Sequence, residues 1–205
     1  MTKSFKRLTT EIEVNQLQKD FIDDTINLSR AMWNKLVEVY NPIFKAERFS
    51  KSREAELNEF LKMEFKDWLD KSASGNRIVR GVVIIYTQAW SNHLNPNMKA
   101  RLPKFKSWKE SRQSFYVPDA SNKISIRRTI SLHLKRGQKL LLKSDKKIKL
   151  KESPQIFDKF FEGRFNEFKT KEHSIIRRNN RYYISICFEY KINKKPSRDN
   201  QIRLS

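Results

Sequence analysis

The segment from Lys99 to Arg112 carries six cations, Lys99, Arg101, Lys104, Lys106, Lys109 and Arg112, interleaved with Leu102, Phe105 and Trp108 and opposed by the single carboxylate Glu110. Ammonium and guanidinium groups neutralise phosphates and release counterions, and flat aromatic faces stack on unpaired bases. The mixture therefore suits RNA or single-stranded DNA. Phe105 and Trp108 would serve equally well as anchors pinning a loop to a core, and the sequence leaves that alternative open. The cations have almost no neighbouring carboxylates to pair with.

Charge is segregated along the whole chain. The 205 residues hold 44 Lys+Arg and 23 Asp+Glu, a net charge of +21. Residues 1–98 contribute 15 and 13 of these, residues 99–151 contribute 17 and 3, and residues 152–205 contribute 12 and 7. Lysine enrichment spread evenly over a surface would not place two-thirds of the excess in a quarter of the chain, so a polyanionic partner is expected.

Other chemistries find little support. Three histidines, His93, His133 and His173, are too dispersed for a zinc-ligand pattern, and the lone Cys187 cannot form an intramolecular disulfide. His133 and His173 read as strand residues, and Cys187 as packed in a sheet. Four glycines, Gly75, Gly81, Gly137 and Gly163, cannot spell a P-loop or a dinucleotide fingerprint. No run approaches the roughly 18 apolar residues of a membrane span, and the start lacks the apolar stretch of a signal peptide. The expectation is a cytoplasmic protein without cofactor or metal.

The elements that must position the basic segment follow from periodicity. A short strand is expected at Phe5–Leu8. Thr10 and Glu13 have the spacing of a capping box and predict a helix starting there, with Val14, Leu17, Phe21, Leu28, Met32, Leu36 and Val39 on one side. Asn41-Pro42 is expected to end it. A second helical pattern covers Arg53 to Lys71, with Gly75 closing it, and a third runs from Asn76 to Leu94. Trp33, Trp68 and Trp90 read as core. Beyond the basic segment, short strands are expected at 114–117, 123–127, 130–135, 139–142 and 147–151, followed by a short helix carrying Phe157 to Phe161. Two longer strands, 164–177 and 182–190, flank a hairpin turn at Arg178-Asn-Asn-Arg181.

Taken in order, these pieces resemble the amino-terminal half of the TnpB family of transposon-encoded RNA-guided nucleases, related to miniature type V CRISPR effectors. The resemblance rests on the opening strand Phe5-Lys-Arg-Leu8, the helix carrying Arg30-Ala-Met-Trp-Asn-Lys-Leu-Val37, and the helix ending Tyr86-Thr-Gln-Ala-Trp90. It continues through Leu102-Pro-Lys-Phe-Lys106, Arg112-Gln-Ser-Phe-Tyr116 and Arg181-Tyr-Tyr-Ile-Ser-Ile186. It implies an α+β fold: a partly open oligonucleotide-binding-like β-barrel, the wedge domain, from residues 1–9 and 99–193. A helical recognition lobe, residues 10–98, is inserted after the first strand, and residues 194–205 form a basic, flexible tail.

The resemblance further implies binding of a structured guide-type RNA and an adjacent duplex DNA motif, in a protein encoded by a bacterium, phage or mobile element. Combined with the charge pattern, it gives the expected contact residues as Lys6, Arg7, Lys99, Arg101, Lys104, Phe105, Lys106, Trp108, Lys109, Arg112, Phe115, Tyr116, Arg127 and Arg128. The family's RuvC nuclease domain has no counterpart here. After the last strand Asp199 stands without the acidic partners that hold two magnesium ions. The expectation is a binding protein that is not itself an enzyme. The alternatives are a subunit whose RuvC half lies on another chain, and a transposon-derived RNA- or DNA-binding regulator.

Overall fold

The computed structural model describes residues 2–47, 49–71, 75–118, 129–131, 147–150 and 169–192. The expected strands at 123–127 and 139–142, the helix at 156–161, the tail, and Arg127 and Arg128 lie outside the described residues, as do parts of the strands expected over 130–135 and 164–177.

The chain opens with β1 (Thr2–Glu13), longer than expected. Leu8, Thr10 and Ile12 alternate inward along it, and the strand pairs antiparallel with β6 (Arg181–Ile192) as far as Glu11 opposite Tyr183. Thr9 Oγ1 donates to Ser185 Oγ across that ladder at 2.9 Å. Sheet pairing thus overrides the local Thr10/Glu13 capping pattern. The helix α1 (Gln16–Ala46) instead starts from Asn15, whose side chain accepts from the Gln18 backbone N–H at 2.9 Å while Gln18 Oε1 accepts from the Asn15 N–H at 3.0 Å. This is a complete capping box, five residues later than expected.

The helix also runs past Asn41-Pro42. Pro42 faces solvent, and one residue beyond Ile43 the buried ring of Phe44 contacts Tyr40, Phe49, Tyr86 and Trp90. That packing offsets the roughly 3 kcal/mol that an interior proline costs a helix. The second helical pattern is broken by Phe65 into α2 (Glu54–Glu64) and α3 (Lys66–Lys71), preceded by a 3-10 turn at Lys51–Arg53. Gly75 opens α4 (Asn76–Leu94) at φ 63° rather than closing the helix before it.

The sheet is antiparallel throughout. Arg112–Val117 (β2), Lys169–Arg178 (β5), β6 and β1 lie side by side in the order β2-β5-β6-β1. Where β1 ends, Ile12 and Glu13 pair with Lys147–Leu150 (β4), which pairs in turn with Thr129–Ser131 (β3). Among the described residues this is an open sheet with β2 and β3 at its edges, and closure into the expected barrel is not seen. The β5–β6 hairpin turns at Asn179 and Asn180, with φ of 50° and 58°. Two successive positive φ values define the tight turn whose twist matches the flanking strands.

Two apolar clusters meet on α1, which at 31 residues is about 46 Å long. Its first turns bury Ile22 and Ile26 against the sheet residues Leu8, Phe115, Ile175, Ile184, Ile186 and Phe188. Its remainder, from Leu28 to Phe44, packs with Leu57 and Leu61 of α2 and Val79, Val83, Tyr86 and Trp90 of α4. α1 is therefore the beam joining the sheet to the helices.

Candidate nucleic-acid interface

Between α4 and β2, residues 95–111 form neither helix nor strand. An extended segment must satisfy its backbone polar groups individually. Here side chains of α1 and α4 do so. Asn41 Nδ2 donates to Pro103 O at 2.8 Å, Trp33 Nε1 to Lys104 O at 2.8 Å, and Asn34 Nδ2 to Lys106 O at 3.0 Å. Asn34 Oδ1 also accepts the Lys106 N–H at 2.7 Å, so one amide side chain grips both backbone groups of that residue. His93 Nδ1 lies 3.1 Å from Ala100 O, and Gln113 Nε2 donates to Trp108 O. The segment is a strap running antiparallel to α1 and fastened by its main chain.

Fastening through the backbone leaves the side chains outward. Lys99, Arg101, Lys104, Lys109 and Arg112 are exposed. Pro103 is buried and Leu102 packs against the helical core, which supplies the apolar anchorage. Phe105 and Trp108 are 63% and 68% exposed, so they are not loop anchors. Lys109 Nζ stands 5.5 Å from the Trp108 ring centroid, pairing a cation with an exposed aromatic face.

Lys106 is the exception among the cations. Its Nζ sits 3.7 Å from the Trp33 ring centroid, and burial pushes its pKa down, with Glu110 opposing that shift. It belongs to the strap's seat as much as to its outer surface.

The other expected contacts divide. Phe115 is 3% exposed within the core, because the alternation of β2 turns Gln113, Phe115 and Val117 inward; its ring is withdrawn from the interface. Tyr116 is half-buried and donates from its hydroxyl to Glu172 Oε2 at 2.5 Å, while Arg7 Nη2 meets Glu172 Oε1 at 2.7 Å. Arg7 and Tyr116 thus share one carboxylate in a cross-strand network and are not unopposed charge. Lys6 Nζ lies 5.5 Å from the Tyr190 ring centroid. Burial raises the Cys187 thiol above its usual pKa, which fits a packing residue, and His173 is buried in β5.

Strand register adds cations that the sequence reading passed over. Arg112 on β2 lies opposite Arg178 on β5, and Arg178 lies opposite Arg181 on β6. Like charges directly opposite destabilise a sheet. These three exposed arginines therefore prolong the positive edge from the end of the strap across three strands, with Glu11 at 4.0 Å from Arg181 Nη1. The strap's holders, Asn34, Asn41 and Gln113, were also missed. The motif Arg30-Ala-Met-Trp-Asn contains two of the residues that bind the strap, but nothing in its spacing reveals partners some 70 residues on.

Asn41 is the most heavily used holder. Besides binding Pro103 O, its Oδ1 accepts from Tyr86 Oη at 2.8 Å and Trp90 Nε1 at 3.1 Å, all within the core. Asn41→Ala strands an indole N–H and a carbonyl and leaves the Tyr86 hydroxyl only the Leu36 carbonyl at 3.1 Å. The expected loss is about 3 kcal/mol, read by urea denaturation, since a buried group left unpaired costs roughly 1–3 kcal/mol. A loss under ~0.5 kcal/mol would contradict the network.

No protein-family model matches the chain, and no curated protein does. Among solved structures, a chain from a cryo-EM structure of a Cas12f1–sgRNA–target DNA complex is similar over 94% of this chain, with 12% sequence identity and a TM-score of 0.46. This chain spans 60% of the length of that one. The class that fold and surface together define is an α+β protein carrying a basic, aromatic-bearing strap across a helix and a sheet edge.

Proposed function

We propose that the chain is a nucleic-acid-binding protein that grips structured RNA bearing unpaired bases, and duplex DNA beside it, without catalysis of its own. The observation that carries this reading is the strap. Its main chain is tied down by Trp33, Asn34 and Asn41, while Lys104, Phe105, Trp108 and Lys109 stand free of the core. Pre-positioned cations and aromatics lose little conformational freedom on binding, and their pairing recruits phosphates and unpaired bases together. Phe105 and Trp108, exposed among cations, add a stacking surface that charge alone does not supply.

The test is the double variant Phe105→Ala/Trp108→Ala. Both rings are exposed, so the fold should keep its stability. Stacking is worth about 1–3 kcal/mol per base. Affinity for a single-stranded RNA 12-mer should therefore fall at least about tenfold, with little change for duplex DNA and with the RNA recovered uncut in magnesium. Unchanged RNA affinity would refute the reading of these rings, and magnesium-dependent cutting by the purified chain would refute the absence of catalysis.

A further inference from the structure

Beneath the strap, between α1, α4 and β2, lies a cleft of about 90 Å³ walled by Trp33, Val82 and Phe115 and edged by Ser29, Lys106 and Arg112. A buried water needs roughly 10–15 Å³ on this measure, so the space is several waters large. Most polar groups around it are engaged. Gln113 Oε1 accepts from Arg30 Nη1 at 3.0 Å and Arg177 Nη2 at 3.2 Å, and Gln113 Nε2 donates to the Trp108 and Glu110 carbonyls. Ser29 differs. It is 6% exposed, it lines the cleft, and its Oγ has no hydrogen-bond partner. Buried hydroxyls are nearly always satisfied, so an orphan on a residue that lines a cavity calls for an occupant with a polar edge.

We propose that this cleft receives one unstacked nucleobase of the bound strand, with Ser29 Oγ hydrogen-bonding the base edge and Lys106 and Arg112 at the rim meeting the flanking phosphate. The Trp33, Val82 and Phe115 walls suit the faces of a flat heterocycle, while the cations beside them suit the phosphate attached to it. A hydroxyl can donate to a ring carbonyl or accept from an exocyclic amine. The strap supplies both the rim cations and the outer aromatics, so a strand lying along it passes the cleft mouth. The inference rests on the nucleic-acid reading above and adds to it a base-binding subsite.

Saturation-transfer NMR with millimolar UMP, ribose 5-phosphate as competitor, and a single-stranded RNA 12-mer measured in parallel tests it. Wild-type protein should transfer saturation to the uracil protons, with ribose 5-phosphate competing at least tenfold more weakly than unlabelled UMP. Ser29→Ala should weaken UMP binding several-fold. Ile85→Trp, at the half-exposed cleft margin, should block UMP while leaving 12-mer affinity within about tenfold. Either variant must first show a wild-type melting transition, and the pair keeps the test open if one misfolds. No UMP transfer to wild type, or equal competition by ribose 5-phosphate, with 12-mer binding intact, would overturn the base subsite and leave the strap interface standing. Failure of the wild-type protein to bind the 12-mer would overturn both.

Discussion

Reversing Arg101, Lys104, Lys109 and Arg112 to glutamate should lower RNA affinity at least about 100-fold at ~0.1 M salt and flatten the slope of log K against log salt by about 3, four contacts at roughly 0.7–0.9 each. All four side chains are exposed on the strap or at the start of β2. Lys106 is left out deliberately, because its ammonium packs over Trp33 and its reversal would confuse binding with stability. The matched control reverses Lys45, Lys51, Lys66 and Lys71, which are exposed on the helical side among carboxylates. Both variants change net charge equally, so a general field effect would weaken both alike. The control should stay within about threefold of wild type. Equal losses would show that position along the chain is irrelevant.

Gly81→Ala should destabilise the protein by about 3 kcal/mol, near the top of the usual range for overpacking. For a domain of this size that is a fall of about 10 °C in Tm. Helix propensity alone predicts the opposite sign, since alanine is favoured over glycine in a helix interior by about 1 kcal/mol. The difference lies in packing. A Cβ on Gly81 would stand 2.1 Å from the carbonyl oxygen of Tyr116 and 3.3 Å from Pro118 Cδ. No rotamer relieves a clash with a backbone carbonyl, so α4 must move off β2. That movement pulls apart the walls of the cleft and the two ends that tether the strap. Calorimetry showing Gly81→Ala as stable as wild type would contradict the close helix–strand crossing.

What could be read from the sequence was what depends on neighbours in the chain. The period of α4 marked Asn76 to Leu94 as a helix, and the Asn-Asn pair marked the turn between β5 and β6. Local rules failed where distant partners decided. Thr10 and Glu13 have capping-box spacing, but ten register pairs with β6 hold that stretch extended, from Thr2 to Glu11. Pro42 reads as a stop, yet Phe44 beyond it has a core to enter.

The interface shows the same division. Charge and aromatic content located the strap, because both are properties of one contiguous segment. Which aromatics face water was not readable. Phe105 and Phe115 look alike in sequence, and only the pairing of β2 with β5, with Phe115 opposite Ile175, turns the second inward. The arginine row of Arg112, Arg178 and Arg181 needed that same register. Asn34 and Asn41 gave no signal, because each meets a backbone 62 to 72 residues away.

The central claim is that the strap reads unpaired bases as well as phosphates, and competition at ~0.3 M salt tests it most directly. At that ionic strength the Debye length is below 8 Å and the purely electrostatic contribution is suppressed, while stacking on Phe105 and Trp108 survives. A folded RNA with unpaired loops should displace a labelled RNA at concentrations at least about tenfold lower than a duplex DNA of equal charge, and the Phe105→Ala/Trp108→Ala variant should erase most of that gap. Identical competition curves for RNA and duplex with the wild-type protein would contradict the claim and leave only a non-specific polyanion binder.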